Sequence, residues 1–233
     1  MTNIRDLETA EIKRPSLSRL TQQQVSEFER DGLLWLPRFF EPSEIAPLAR
    51  LVDENEILQE RTVGVIDSDG NAAQIFGWSG RSDDFLGTYV RIARMVEASE
   101  DLLGGQSVYH WHSKLSMKAP GSKGRWDWHQ DYGSWYLEGC LRPEMLTIMV
   151  AVDATNTENG CVELVRGSHL LGRIDHGPLG QSQGADPQVV HEALGARGVR
   201  ARTRRRGGLS REYFARIRSQ CFDAPAHATS RLL

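Results

Sequence analysis

The sequence predicts an α+β domain. Helix-patterned segments fill the first half, and short strand-like runs take over from residue 106. An apolar content of 39% against 25% charged residues is enough for one substantial core. Period alone leaves two arrangements open: separate helical and sheet regions, or a sheet barrel carrying an N-terminal helical layer.

Residues 1–18 read as a polar leader. The stretch SRLTQQQVSEFERDG follows as a helix, with Thr21 as its cap and Gln24 as the capping-box partner. Gly32 stops it, and LLWLPRFF continues as a buried extended segment. PSEIAPLARL is helical, with Pro47 expected to break it into two pieces. TVGVIDSDGNAAQIFGW places a turn at Ser68–Asp69–Gly70 between apolar segments. Residues 84–103 are expected to be helical. SVYHWHSKLSMK alternates in part, and MLTIMVAVDA is a nearly continuous apolar strand. Asn159–Gly160 marks a turn before the strand CVELVRGSH, and residues 171–188 read as a Gly-rich loop.

No apolar run reaches the roughly 18 residues of a membrane span, and the first residues, MTNIRDLETA, carry no apolar signal segment. Cysteines at 140, 161 and 221 form no paired framework, so a reducing cytoplasm is the expected compartment. The net charge of −3 conceals a split. Residues 191–233 hold ten arginines against three acids, whereas the remainder is strongly acidic. The organisation expected is therefore a leader (1–18), a main domain (19–190) and a basic tail (191–233).

The sharpest chemical feature is Trp-Asp-Trp-His-Gln-Asp-Tyr at 126–132. On a strand, His129 and Asp131 share a face and can converge on one cation. A second histidine from elsewhere would complete a two-histidine, one-carboxylate face with open positions, which suits Fe(II) better than structural zinc. Asp127 is also two residues from His129, and a surface hydrogen-bonded pair is an equally simple reading of the spacing. Trp126, Trp128, Tyr132, Trp135 and Tyr136 either line an organic pocket or pack a core.

Three segments carry a resemblance: FERDGLLWLPRFF, VYHWHSKLSMKAPGSKGRWDWHQDYGSWY and DATNTENGCVELVRGSH. Over residues 20–190 the chain resembles the phytanoyl-CoA dioxygenase family of Fe(II)/2-oxoglutarate oxygenases, within it the ectoine-hydroxylase-like members. The resemblance implies a double-stranded β-helix of the jelly-roll or cupin kind, here incomplete at the C-terminus. It implies Fe(II), 2-oxoglutarate and O2 as cofactors and co-substrate, with His129 and Asp131 as catalytic iron ligands. It places Trp135, with Trp126, beside the substrate. It places His112, Lys114 and Lys118 around 2-oxoglutarate, His112 standing where ectoine-like members have a glutamine. His169, in Gly167–Ser168–His169, falls in a structural corner and not at the distal ligand. A retained Asp131 carboxylate disfavours the halogenase variant.

The family continues with an acidic-Pro-Gly-Asp turn, a buried strand, a distal histidine and, about ten residues on, an arginine that binds the far carboxylate of 2-oxoglutarate. After QVVHEALG this ensemble is absent. Three readings stay open. His227 is a displaced distal ligand with Arg231 as the carboxylate partner. Or the tail is a basic helix, YFARIR carrying some helical periodicity, that binds an acidic partner or nucleic acid. Or the tail is a truncated or frame-shifted end that exposes sheet edges and promotes self-association.

The function expected is hydroxylation of a small organic metabolite, either a small polar one or a carrier-free amino-acid-like compound, with an acyl substrate of the phytanoyl-CoA kind kept open. The alternative is a catalytically impaired, oxygenase-like binding or structural protein. Neither a membrane nor nucleic acid is expected as a partner.

Overall fold

The computed structural model describes residues 20–78, 85–155, 159, 162–197, 200–202, 213–218, 223–224 and 231–232, with the backbone alone from residue 200 onward. The leader, 1–18, lies outside the described residues.

The first helix, α1 (Gln22–Asp31), is capped as its sequence dictates. The Thr21 hydroxyl accepts the Gln24 amide at 3.2 Å, and Gln24 Oε1 accepts the Thr21 amide at 2.8 Å. Gly32, at φ 75°, closes the helix by donating to the Phe28 carbonyl. β1 (Leu33–Pro37) follows at once, with Leu33, Leu34 and Leu36 buried.

Helix α2 (Pro42–Glu54) runs through Pro47 without a break, contrary to the expected split. An interior proline costs about 3 kcal/mol. Ile45, Leu48 and Val52 are all buried, and each contributes about 1.5–3 kcal/mol, which outweighs it. A short α3 (Glu56–Glu60) leads to the hairpin β2 (Val63–Ile66) and β3 (Ala72–Trp78), joined through the expected Ser68–Gly70 turn.

The single helix expected over 84–103 is instead two, α4 (Phe85–Tyr89) and α5 (Ala93–Leu102). The buried residues explain the break. Leu86 and Tyr89 form one stripe, and Met95, Ala98 and Leu102 another. At about 100° per residue, the six positions from Tyr89 to Met95 put the two stripes on different sides of a straight helix.

Next come β4 (Ser113–Met117), α6 (Asp131–Leu137), β5 (Leu146–Val150) and β6 (Glu163–Val165), then a 3-10 turn at Ser168–Leu171. Residues expected to be loop form a hairpin, β7 (His176–Leu179) and β8 (Ser182–Ala185). Gly180, at φ 58°, makes its tight turn. Helix α7 (Pro187–Arg197) crosses the expected boundary at residue 190.

Among the described residues, the basic tail supplies four further strands: β9 (Arg200–Arg202), β10 (Tyr213–Arg218), β11 (Asp223–Ala224) and β12 (Arg231–Leu232). β10 lies between β1 and β5, antiparallel to both, so YFARIR is a strand and not a helix. Its alternation of Tyr213, Ala215 and Ile217 fits a period of two as well. β9 and β11 flank β6, and β12 extends the sheet β4–β3–β2. The edges of β1 and β5 that an empty tail would have exposed are therefore paired. The main core gathers Phe28, Leu34, Leu48, Leu115 and Val150, bringing α1, α2, β1, β4 and β5 together.

Candidate metal centre

His129 and Asp131 do not sit on a continuous strand. His129 makes an isolated bridge, and Asp131 opens α6. The expected shared strand face is replaced by a strand-to-helix switch, yet the two side chains still meet. His129 Nε2 lies 3.4 Å from Asp131 Oδ1, and both side chains are largely buried.

Their partners define which atoms face each other. His129 Nδ1 lies 2.7 Å from the Asp127 carbonyl, so this nitrogen carries the hydrogen and donates it. Nε2 then faces Asp131, donating to the carboxylate when protonated and offering a lone pair to a cation when not. Burial disfavours the Asp131 carboxylate, but His129, Lys114 and the Thr147 hydroxyl outweigh it and hold the group well below the usual carboxylate range. Thr147, on β5, donates to Asp131 Oδ2. A nitrogen lone pair and an ionised oxygen at this separation require a shared proton or a cation between them.

The competing pair fails on geometry. The Asp127 carboxylate is taken up by the Ser68 amide at 3.0 Å and the Ser68 hydroxyl at 2.6 Å. It fastens the β2–β3 turn, and only its backbone carbonyl serves His129.

Of the other expected residues, several gather near the pair. The Lys114 ammonium acts electrostatically on both Asp131 and His112, and stands 5.2 Å from the Trp126 ring centroid. The His112 ring packs on Trp135 at 4.5 Å, and Trp135 meets Trp111 edge-on at 6.0 Å. Burial, and secondarily Lys114, lowers the His112 pKa, which favours a neutral ring. Trp126 donates through Nε1 to the Ser116 hydroxyl at 3.1 Å.

Lys118 is placed elsewhere. It is buried, not extended into solvent, and lines a cleft of about 500 Å³ with Asp53, Gln59, Gln74 and Asp153. Among its described lining residues, none belongs to the His129–Asp131 group and none is a histidine. Its size does not make it the reactive site.

His169 is buried in a corner, as expected. Its Nε2 lies 3.0 Å from the Glu29 carbonyl. Gly167, at φ 71°, donates its amide to the Asp31 carbonyl at 2.7 Å, docking this corner on α1. His227 lies outside the described residues. Arg231 has its backbone on β12 opposite Met117, and its side chain also lies outside them. Among the described residues, no group of three or more His, Cys, Asp or Glu is close enough to hold a metal ion.

Two residues escaped the sequence reading. Thr147 is the lone polar side chain in MLTIMVAV, which was its signal. His176 stands in a stretch read as loop, with no signal beyond its identity. Its ring is wedged against α6, where a Cβ on Gly133 would come within 2.1 Å of it.

The family model described as Phytanoyl-CoA dioxygenase (PhyH) matches residues 28–194. An ectoine dioxygenase of Bordetella parapertussis is 32% identical over 155 residues, covering 64% of this chain and 50% of the relative. An L-proline trans-4-hydroxylase of Streptomyces griseoviridis is 29% identical over 149 residues, covering 64% and 55%. The chain thus spans about half the length of the curated relatives it matches. Among solved structures, EctD from S. alaskensis with bound Fe aligns with a TM-score of 0.71 at 17% identity, covering 94% of this chain and 76% of that one. The carbocyclase SnoK from nogalamycin biosynthesis aligns at 0.67 and 18%, covering 91% and 81%. At these identities the structural likeness speaks for the fold.

Proposed function

The chain belongs to the phytanoyl-CoA dioxygenase family, and we propose that it is an Fe(II)- and 2-oxoglutarate-dependent oxygenase that hydroxylates a small polar, amino-acid-like metabolite. The observation that carries this reading is the facing pair His129 Nε2 and Asp131 Oδ1, oriented from behind by Asp127 and Thr147. An imidazole nitrogen and a carboxylate oxygen are the donor set that a facial Fe(II) site uses. The antiparallel sheets and the likeness to EctD support a double-stranded β-helix around it.

In this reading His129 and Asp131 hold the iron, and the third protein ligand comes from residues outside the described set, where His227 is the candidate. The bound iron and 2-oxoglutarate supply the oxidative activation of O2 needed to hydroxylate a C–H bond. The chain supplies the rest. The Asp127 carbonyl holds the His129 ring with Nε2 forward, and Thr147 occupies Asp131 Oδ2 so that Oδ1 faces inward. Lys114 offers a cation to a 2-oxoglutarate carboxylate, a role for which Arg231 is the second candidate. His112, Trp126 and Trp135 form an aromatic wall that excludes water and orients the substrate. The names of the relatives, an ectoine dioxygenase and a proline hydroxylase, support a compact polar substrate over a long acyl chain.

Succinate formation from 2-oxoglutarate, measured with Fe(II) across a panel of small zwitterionic metabolites, tests this. At least one metabolite should stimulate turnover, and His129→Ala should abolish it. One observation favours a second reading, a binding protein with an impaired site: no third metal-ligating side chain joins the pair among the described residues. Stoichiometric iron binding with no succinate from any substrate would favour that reading.

A further inference from the structure

Gln130, between the two proposed ligands, is fully buried and makes three hydrogen bonds to the segment 172–176. Its amide donates to His176 Nε2 at 2.9 Å. Its side-chain oxygen accepts the Ile174 amide at 2.8 Å, and its side-chain nitrogen donates to the Gly172 carbonyl at 3.0 Å. His176 Nδ1 in turn donates to the Ile174 carbonyl at 2.8 Å. A carbonyl on one side and an amide on the other fix a single neutral tautomer, with Nε2 as acceptor. With both ring nitrogens engaged by backbone, His176 is not a metal ligand.

The hairpin grips the same stretch from its other strand. His176 and Ala185 are register partners across β7 and β8, and the Ala185 amide donates to the Trp128 carbonyl at 2.8 Å. The β7–β8 hairpin therefore holds residue 128 through its backbone and residue 130 through a histidine side chain. The His176 ring also fills the space that a side chain on Gly133, in the first turn of α6, would need.

We propose that His176 is a positioning residue, and that the β7–β8 hairpin is a clasp that sets the strand-to-helix switch bringing His129 and Asp131 face to face. Without an acceptor at Nε2, the Gln130 amide loses this buried hydrogen bond, and the backbone between the two ligands is free to turn. The two donor atoms then no longer converge. This rests on the metal-site reading above.

The test uses the full chain without metal, titrated with Co(II) and followed by the visible absorption of the bound ion. His176→Phe keeps a ring but no acceptor, whereas His176→Gln keeps an acceptor at about the reach of Nε2. The clasp predicts that His176→Phe weakens Co(II) affinity by about 10–100-fold and that His176→Gln restores most of it. Gly133→Ala, which displaces the ring, should behave like His176→Phe. A ring needed only for packing gives the reverse order, tolerating Phe and not Gln, and overturns the proposal. Hydrogen exchange of the Gln130 amide in metal-free protein reads the clasp directly. It should be protected in the natural sequence and in His176→Gln, and exposed in His176→Phe. Equal exchange in all three overturns the clasp. A natural sequence that takes up no Co(II) while showing the predicted exchange pattern sinks the metal-site reading and leaves the clasp standing.

Discussion

The Thr147 hydroxyl on β5 donates to the outer oxygen of Asp131 at the start of α6, while the inner oxygen stays 3.4 Å from His129 Nε2. One hydrogen bond thus decides which carboxylate oxygen faces the imidazole. Thr147→Val removes the donor at nearly constant shape. It should weaken Fe(II) affinity by about 10-fold or more while leaving the fold intact, as measured by anaerobic calorimetry and circular dichroism.

Lys114 is the described cation that acts on the Asp131 group from β4. If it receives a carboxylate of 2-oxoglutarate, Lys114→Met should raise the KM for 2-oxoglutarate by about 10-fold or more, with a smaller change for Fe(II). Parallel titrations of the two separate a carboxylate partner from a general disturbance of the site.

Asp31 gives the fold a pH dependence. Its buried carboxylate accepts from Arg30 at 2.8 and 2.7 Å, and Arg166 lies 3.5 Å away. The Arg30 hydrogen bond, aided by Arg166, holds Asp31 below the usual carboxylate range despite burial. A depressed folded pKa means that the stability is present above the unfolded value, about 3.9, and is lost as pH falls toward the folded value. Asp31→Asn should lower the Tm at pH 7 by about 2–4 °C and narrow its gap to the natural sequence below about pH 4.

Phe28 is fully enclosed at the crossing of α1 with the core. Phe28→Ala should cost about 3–5 kcal/mol in a denaturant titration, because the surrounding helices and sheet cannot collapse onto the vacated volume.

β10 separates β1 from β5 and pairs with both. Removal of residues 213–233 should expose both edges and produce concentration-dependent self-association on size-exclusion chromatography.

The legible parts of the fold were those set by local chemistry. The Thr21–Gln24 box and the Gly32 stop are written in adjacent residues, and so is the turn at Ser68–Gly70. His129 and Asp131 were legible as a pair but not as a geometry, because a period of two says nothing about a helix beginning at the second residue. The break between α4 and α5 needed the phase of two apolar stripes, which a propensity reading does not weigh. His176 was hidden because its partners are backbone groups, which every sequence has. The strands of the tail were hidden for a related reason. β10 owes its place to β1 and β5, more than 60 residues away in sequence, and not to its own short pattern.

Anaerobic equilibrium dialysis against Fe(II), comparing the natural sequence with His129→Ala and Asp131→Ala, tests the central claim most directly. The account predicts stoichiometric iron on the natural sequence and its loss from both variants, with the circular dichroism of all three preserved. Iron retained equally by all three, or absent from the natural sequence, would contradict it.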